Sequence, residues 1–167
     1  IQMKMCFFLI LIFSLFVSSN SKDTKINYEE SLSKYFEKFD KSLRSESKEE
    51  QKKAIENILP LKNDIAVLFP EHTDLIWNKI EPMNKELIEK YEEVAKELTR
   101  TVWVKFEAYD LTTDKTFKDL YVEIVKILPK GTPIYGLMQS DGKDQSANSK
   151  GYVFVNNKWV LIKGIHG

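Results

Sequence analysis

Tyr152-Val153-Phe154-Val155-Asn156-Asn157-Lys158-Trp159-Val160-Leu161 decides the fold. Two runs of β-branched and aromatic residues flank an asparagine pair, and asparagine tolerates the positive φ that a two-residue hairpin loop demands. With that turn, Val155 faces Lys158, Phe154 faces Trp159, Val153 faces Val160 and Tyr152 faces Leu161. Tyr152, Phe154, Trp159 and Leu161 then share one side of the hairpin, and Val153, Val155, Val160 and Ile162 the other. An antiparallel sheet normally gives one face to water, so two apolar faces require that both be covered, by helices, a second subunit or a ligand.

Upstream, 134–139 reads as a further strand, with Ile134 and Met138 on one side and Tyr135 and Leu137 on the other. A polar loop rich in Ser, Asp, Gly and Asn separates it from the hairpin. The segment 116–128 has β-branched content, but Phe117, Leu120, Tyr121, Ile124, Ile127 and Leu128 complete a helical stripe that Pro129 and Gly131 stop. It is read as a helix. Before it the period is two, with Val102, Val104, Phe106 and Ala108 alternating with Trp103, Lys105, Glu107 and Tyr109, which makes a strand.

The part up to about Arg100 is charged and helix-patterned. Leu32, Tyr35, Phe36, Phe39 and Leu43 follow helical spacing and predict a helix over 28–43. Ser47 and Glu50 are spaced as a capping box for a second helix carrying Ala54, Ile55, Ile58 and Leu59, which Pro60 ends. A short helical turn follows Asn63, with Ile65, Leu68 and Phe69 inward until Pro70. Thr73 is expected to cap the next helix, which leads through Leu75, Ile76, Trp77 and Ile80 to Pro82. The longest helix is expected after it, with Met83, Leu87, Tyr91, Val94 and Leu98 as its apolar stripe. The fold class is thus α+β: N-terminal helices, then a small, curved, mostly antiparallel sheet of about four strands with one inserted helix.

At the other end, Lys4 precedes an uncharged apolar run from Met5 to Val17, followed by Ser18, Ser19, Asn20 and Ser21. A bilayer-spanning helix needs roughly 20 apolar residues, whereas a signal core needs about 7 to 15. The order predicts a secretory signal peptide over 1–21, cleaved near Asn20 or Lys22, and one domain over 22–167. The competing reading is an uncleaved anchor. An acylated lipoprotein cysteine follows its apolar core, while Cys6 lies at the start of this one, so lipidation is not expected.

Cys6 is the sole cysteine, which leaves the mature part without a disulfide framework or thiolate metal site. The 25 basic and 25 acidic side chains cancel, and without Lys4 the balance is 24 against 25. That gives no electrostatic reason for nucleic acid or an anionic membrane as partner.

Helices first, then a bent sheet closing in Gly151 to Leu161, resemble the NTF2-like (cone-shaped α+β) domains of exported bacterial proteins. The resemblance implies a sheet wrapped around a helix, leaving a pocket that some members use for small ligands or catalysis. It carries over no catalytic residue.

Motifs for chemistry are sparse. Only His72 and His166 are available, and no metal-site spacing accompanies them. Glu71, His72 and Asp74 form the densest polar cluster, in a place where acidic residues ordinarily serve a helix N-terminus. Asp141, Asp144 and Asn148 match no EF-hand spacing. Neither a phosphate loop nor a Gly-x-Ser-x-Gly elbow occurs.

The expectation is therefore an exported, secreted or periplasmic protein without cofactor, metal or catalytic residue, more a binding or accessory domain than an enzyme. Its ligand face would be lined by Trp103, Tyr109, Tyr152, Phe154 and Trp159, aromatic groups that bury much area at low entropy cost. A protein partner or a second copy could meet the sheet, but neither nucleic acid nor, after cleavage, a membrane anchor is expected. The alternative is a small NTF2-like enzyme using pocket groups such as Glu107 and Tyr109.

Overall fold

The structure, a computed structural model, describes residues 26–112 and 126–162. The expected leader, most of the helix expected over 116–128 and His166 lie outside those residues.

Helix α1 spans Tyr28–Leu43 and buries Leu32, Phe36 and Leu43. The Asn27 side chain accepts from the Glu30 N–H at 3.2 Å, and Glu29 and Glu30 complement the positive helix end. Helix α2, Lys48–Ile58, is capped by Ser47, whose hydroxyl accepts from the Glu50 N–H at 3.3 Å. Only half of the expected capping box forms. The Glu50 carboxylate accepts instead from the hydroxyls of Ser42 and Ser45, at 3.0 and 2.8 Å, and so ties α2 to the end of α1.

Helix α3, Lys62–Leu68, and a 3-10 turn, Pro70–His72, bring Ile65, Leu68 and Phe69 inward as the spacing predicts. The next two helices divide differently from expectation. Helix α4 runs Thr73–Glu89 straight past Pro82, and the break falls at Lys90, before α5, Tyr91–Leu98. Proline inside a helix costs about 3 kcal/mol, and burial of Ile76 and Ile80 before it, with Ile88 packing after it, offsets that loss. Thr73 is not the cap but lies in the first turn, where its hydroxyl donates to the Phe69 and Pro70 carbonyls. The expected stripe turns outward at Met83, Leu87 and Leu98, because Ile88, Tyr91, Val94 and Ala95 take the inner side.

Four strands, β1 (Lys105–Asp110), β2 (Tyr135–Ser140), β3 (Ser146–Val155) and β4 (Lys158–Leu161), form one antiparallel sheet in chain order. The terminal hairpin has the register read from its sequence, from Tyr152 opposite Leu161 to Val155 opposite Lys158. Its turn residues Asn156 and Asn157 have φ of 48° and 61°. Strand β1 starts at Lys105 rather than Val102, because β2 ends at Ser140 and leaves Val102 no partner.

Strand β3 is longer than expected. Ser146–Lys150, read as loop, pair with Gly136–Ser140, so backbone hydrogen bonding makes a strand where side-chain pattern shows none. Tyr135 pairs with Tyr152 but Gly136 with Lys150, which leaves Gly151 as an extra residue, a bulge at φ 101°. Gly136 has its own reason: a Cβ there would lie 2.5 Å from the Tyr109 ring, which rests on the bare backbone.

Both faces of the sheet are covered by helices. Val153, Val155, Val160 and Ile162 pack with Ile65, Leu68 and Phe69 from α3 and its C-terminal end and with Ile76 and Ile80 from α4. Tyr135, Leu137, Tyr152 and Trp159 pack with Leu32 and Phe36 of α1 and Ile55 and Ile58 of α2. Helix α1 also runs along β1, the first edge of the sheet. Its Ser33 hydroxyl accepts from the Ala108 N–H at 3.0 Å and its Glu29 carboxylate from the Asp110 N–H at 3.2 Å.

Candidate functional site: a groove between α1 and the terminal hairpin

Alternation along β3 and β4 sends Tyr152, Phe154, Trp159 and Leu161 toward α1, and that helix decides which of them solvent reaches. Trp159 is 2% exposed and Tyr152 4%. Tyr28 and Tyr135 stand edge-on to Trp159 with ring centroids 6.2 and 5.3 Å away, and Phe36 meets Tyr152 at 4.9 Å. The Trp159 indole N–H, which would cost free energy if buried alone, donates to the Ser31 hydroxyl at 3.2 Å. Burial pushes the Tyr152 phenol up to about 12, and it pushes Tyr35 up as well, with a smaller contribution from Tyr152. Both hydroxyls stay protonated at neutral pH, and that of Tyr152 donates to the Ser149 hydroxyl at 2.8 Å.

Phe154 is different. It touches Tyr28 and Trp159, with centroids 5.4 and 5.3 Å away, yet remains partly open. Beside it lies a groove of about 640 Å³, walled by Asn27, Ser31, Tyr35 and Lys38 of the α1 side and by Phe154 and Trp159 of the hairpin. This volume is within the range of small-molecule sites. Glu30, Lys34 and Lys38 form an i, i+4 row along the α1 wall, in which Lys34 is ion-paired with Glu30. Lys158 also borders the groove, but its ammonium is held by Asp64 at 2.8 Å.

The five aromatic residues expected to line a site do not share one surface. Tyr152, Phe154 and Trp159 lie on the α1 side. Tyr109 packs against the opposite core, over Gly136, and donates to Asn148 Oδ1 at 3.3 Å. Trp103 is half-buried ahead of β1. Glu107, on the Tyr109 side of β1, is ion-paired with Lys105 at 2.8 Å. Sequence reasoning missed the α1 wall because Tyr35 was counted only as core; its signal was the polar row Glu30, Lys34, Lys38 beside Ser31 and Tyr35 on the same helix.

Elsewhere, Asp74 pairs with Lys62 at 2.8 Å, and Asp141 accepts from the N–H groups of Lys143 and Gln145, so both have structural work. Among the described residues no cluster of His, Cys, Asp and Glu is arranged to hold a metal ion, and no helix is long and apolar enough to cross a membrane. No protein-family model matches the sequence, and no curated protein or solved structure is significantly similar to it.

Proposed function

We propose that the chain is an exported, non-enzymatic binding domain whose ligand lies in the groove between α1 and the terminal hairpin. The observation that carries this reading is the position of Phe154. It is the member of the aromatic face that α1 leaves partly open, and it borders a groove large enough for a small apolar ligand. The neighbouring rings are fixed by core packing, so a ligand stacking on Phe154 meets a preorganised edge. The apolar run after Lys4, read as a leader over 1–21, supports the exported part of this reading.

An amide-shift titration of the isotopically labelled mature chain with 2-naphthol, a neutral planar probe, tests the site. Saturable shifts clustered on 27–38 and 154–159 support the reading. Shifts clustered elsewhere, or none at millimolar probe, overturn it.

A further inference from the structure

The charges around this groove select among apolar ligands. On the α1 wall, Glu30 is occupied by Lys34, and across the groove the Lys158 ammonium is occupied by Asp64. Lys38 is the next member of the same helical row and is exposed, and among the described residues it has no ion-pair partner. The other polar groups on the rim, Asn27, Ser31 and Asn157, are neutral. A ligand with its ring against Phe154 and its polar end toward Lys38 therefore meets one uncompensated positive charge and no free carboxylate. A cationic head would meet repulsion, and a neutral one would gain nothing from the lysine.

Resting on the groove assignment above, we infer that the ligand class is amphipathic small anions, a planar or branched apolar body carrying one carboxylate or sulfonate, with Lys38 as the charge-selecting residue. An exposed lysine paired to a ligand carboxylate is worth less than about 1 kcal/mol, so the selectivity is modest and measurable rather than absolute. Apolar contact supplies the affinity, and Lys38 supplies the sign of charge.

The test is calorimetric titration of the mature chain with three probes of one shape: 2-naphthoate, 2-naphthol and 2-naphthylmethylammonium. The expected result is that 2-naphthoate binds about three- to fivefold tighter than 2-naphthol and that the ammonium binds weakest. In Lys38→Gln, a change at an exposed position, the ratio of naphthoate to naphthol affinity should fall to about one. Equal affinity for naphthoate and naphthol in the wild type, or an advantage that survives in Lys38→Gln, overturns the anion assignment and leaves the groove standing. Failure of all three probes to bind overturns the groove with it.

Discussion

Asp64 and Lys158, from α3 and β4, meet at 2.8 Å. Asp64 is 2% exposed, and its second oxygen accepts from the Asn156 side chain at 2.8 Å, while the Leu61 N–H donates to the first, also at 2.8 Å. One carboxylate thus anchors the start of α3, the hairpin turn and β4. Burial alone would raise its pKa, but the hydrogen bonds from Lys158, Leu61 and Asn156, with the Lys158 charge, hold it below the ordinary carboxylate value.

Removing Lys158 leaves the buried carboxylate short of its counter-charge, so Lys158→Met should destabilise the fold by about 2–3 kcal/mol in urea unfolding. Asp64→Ala should cost at least as much, since it also frees the Leu61 N–H and the Asn156 amide. The double variant should fall short of the sum by about 1 kcal/mol or more. Strict additivity would show that the two groups act independently.

Alkali should loosen the face beneath α1. Tyr152, whose burial raises its phenol to about 12, stays protonated in the folded chain while the unfolded chain ionises from about pH 10. Above that pH the folded state binds more protons, so stability falls as pH rises from 10 toward 12. The expected total for this group is on the order of 2–3 kcal/mol. Urea midpoints across that range check it, and Tyr152→Phe should flatten the slope; an unchanged slope would assign the loss to other groups.

The outer N–H groups of β1 are a ready template for pairing with another chain, and Ser33 and Glu29 occupy two of them. A Ser33→Ala, Glu29→Ala variant should expose the Ala108 and Asp110 donors. Concentration-dependent self-association should follow, visible by sedimentation velocity. A variant that sediments as the wild type does would show that the backbone of α1 alone shields the edge.

Trp159 distinguishes core from site. Because it is 2% exposed and ringed by Tyr28, Tyr135 and Phe154, Trp159→Ala should cost about 3–5 kcal/mol. A loss under about 1 kcal/mol would mean that this ring serves a ligand instead of the fold.

The hairpin was legible to the residue, since alternation and the Asn156-Asn157 turn each specify the same register. The need for cover on both faces was legible as well, from apolar residues at every position of 152–155 and 159–162. What pattern could not supply was competition between distant elements. Pro82 reads as a kink or as the first turn of a new helix, yet packing on both sides of it carries α4 onward to Glu89. Ser146–Lys150 read as loop because their pairing with β2 is a backbone property. The aromatic face was found without its lid: nothing in the sequence of the hairpin says that α1 would seal Tyr152 and Trp159 and leave Phe154 at the margin.

The most direct measurement is the dissociation constant of 2-naphthol for Phe154→Ala against the wild type, with unfolding midpoints taken on the same samples. Loss of one stacking ring at a small site is worth about 1.4 kcal/mol, so the account predicts affinity about tenfold weaker in a variant that still unfolds cooperatively. A folded Phe154→Ala chain that binds 2-naphthol as tightly as the wild type would contradict it.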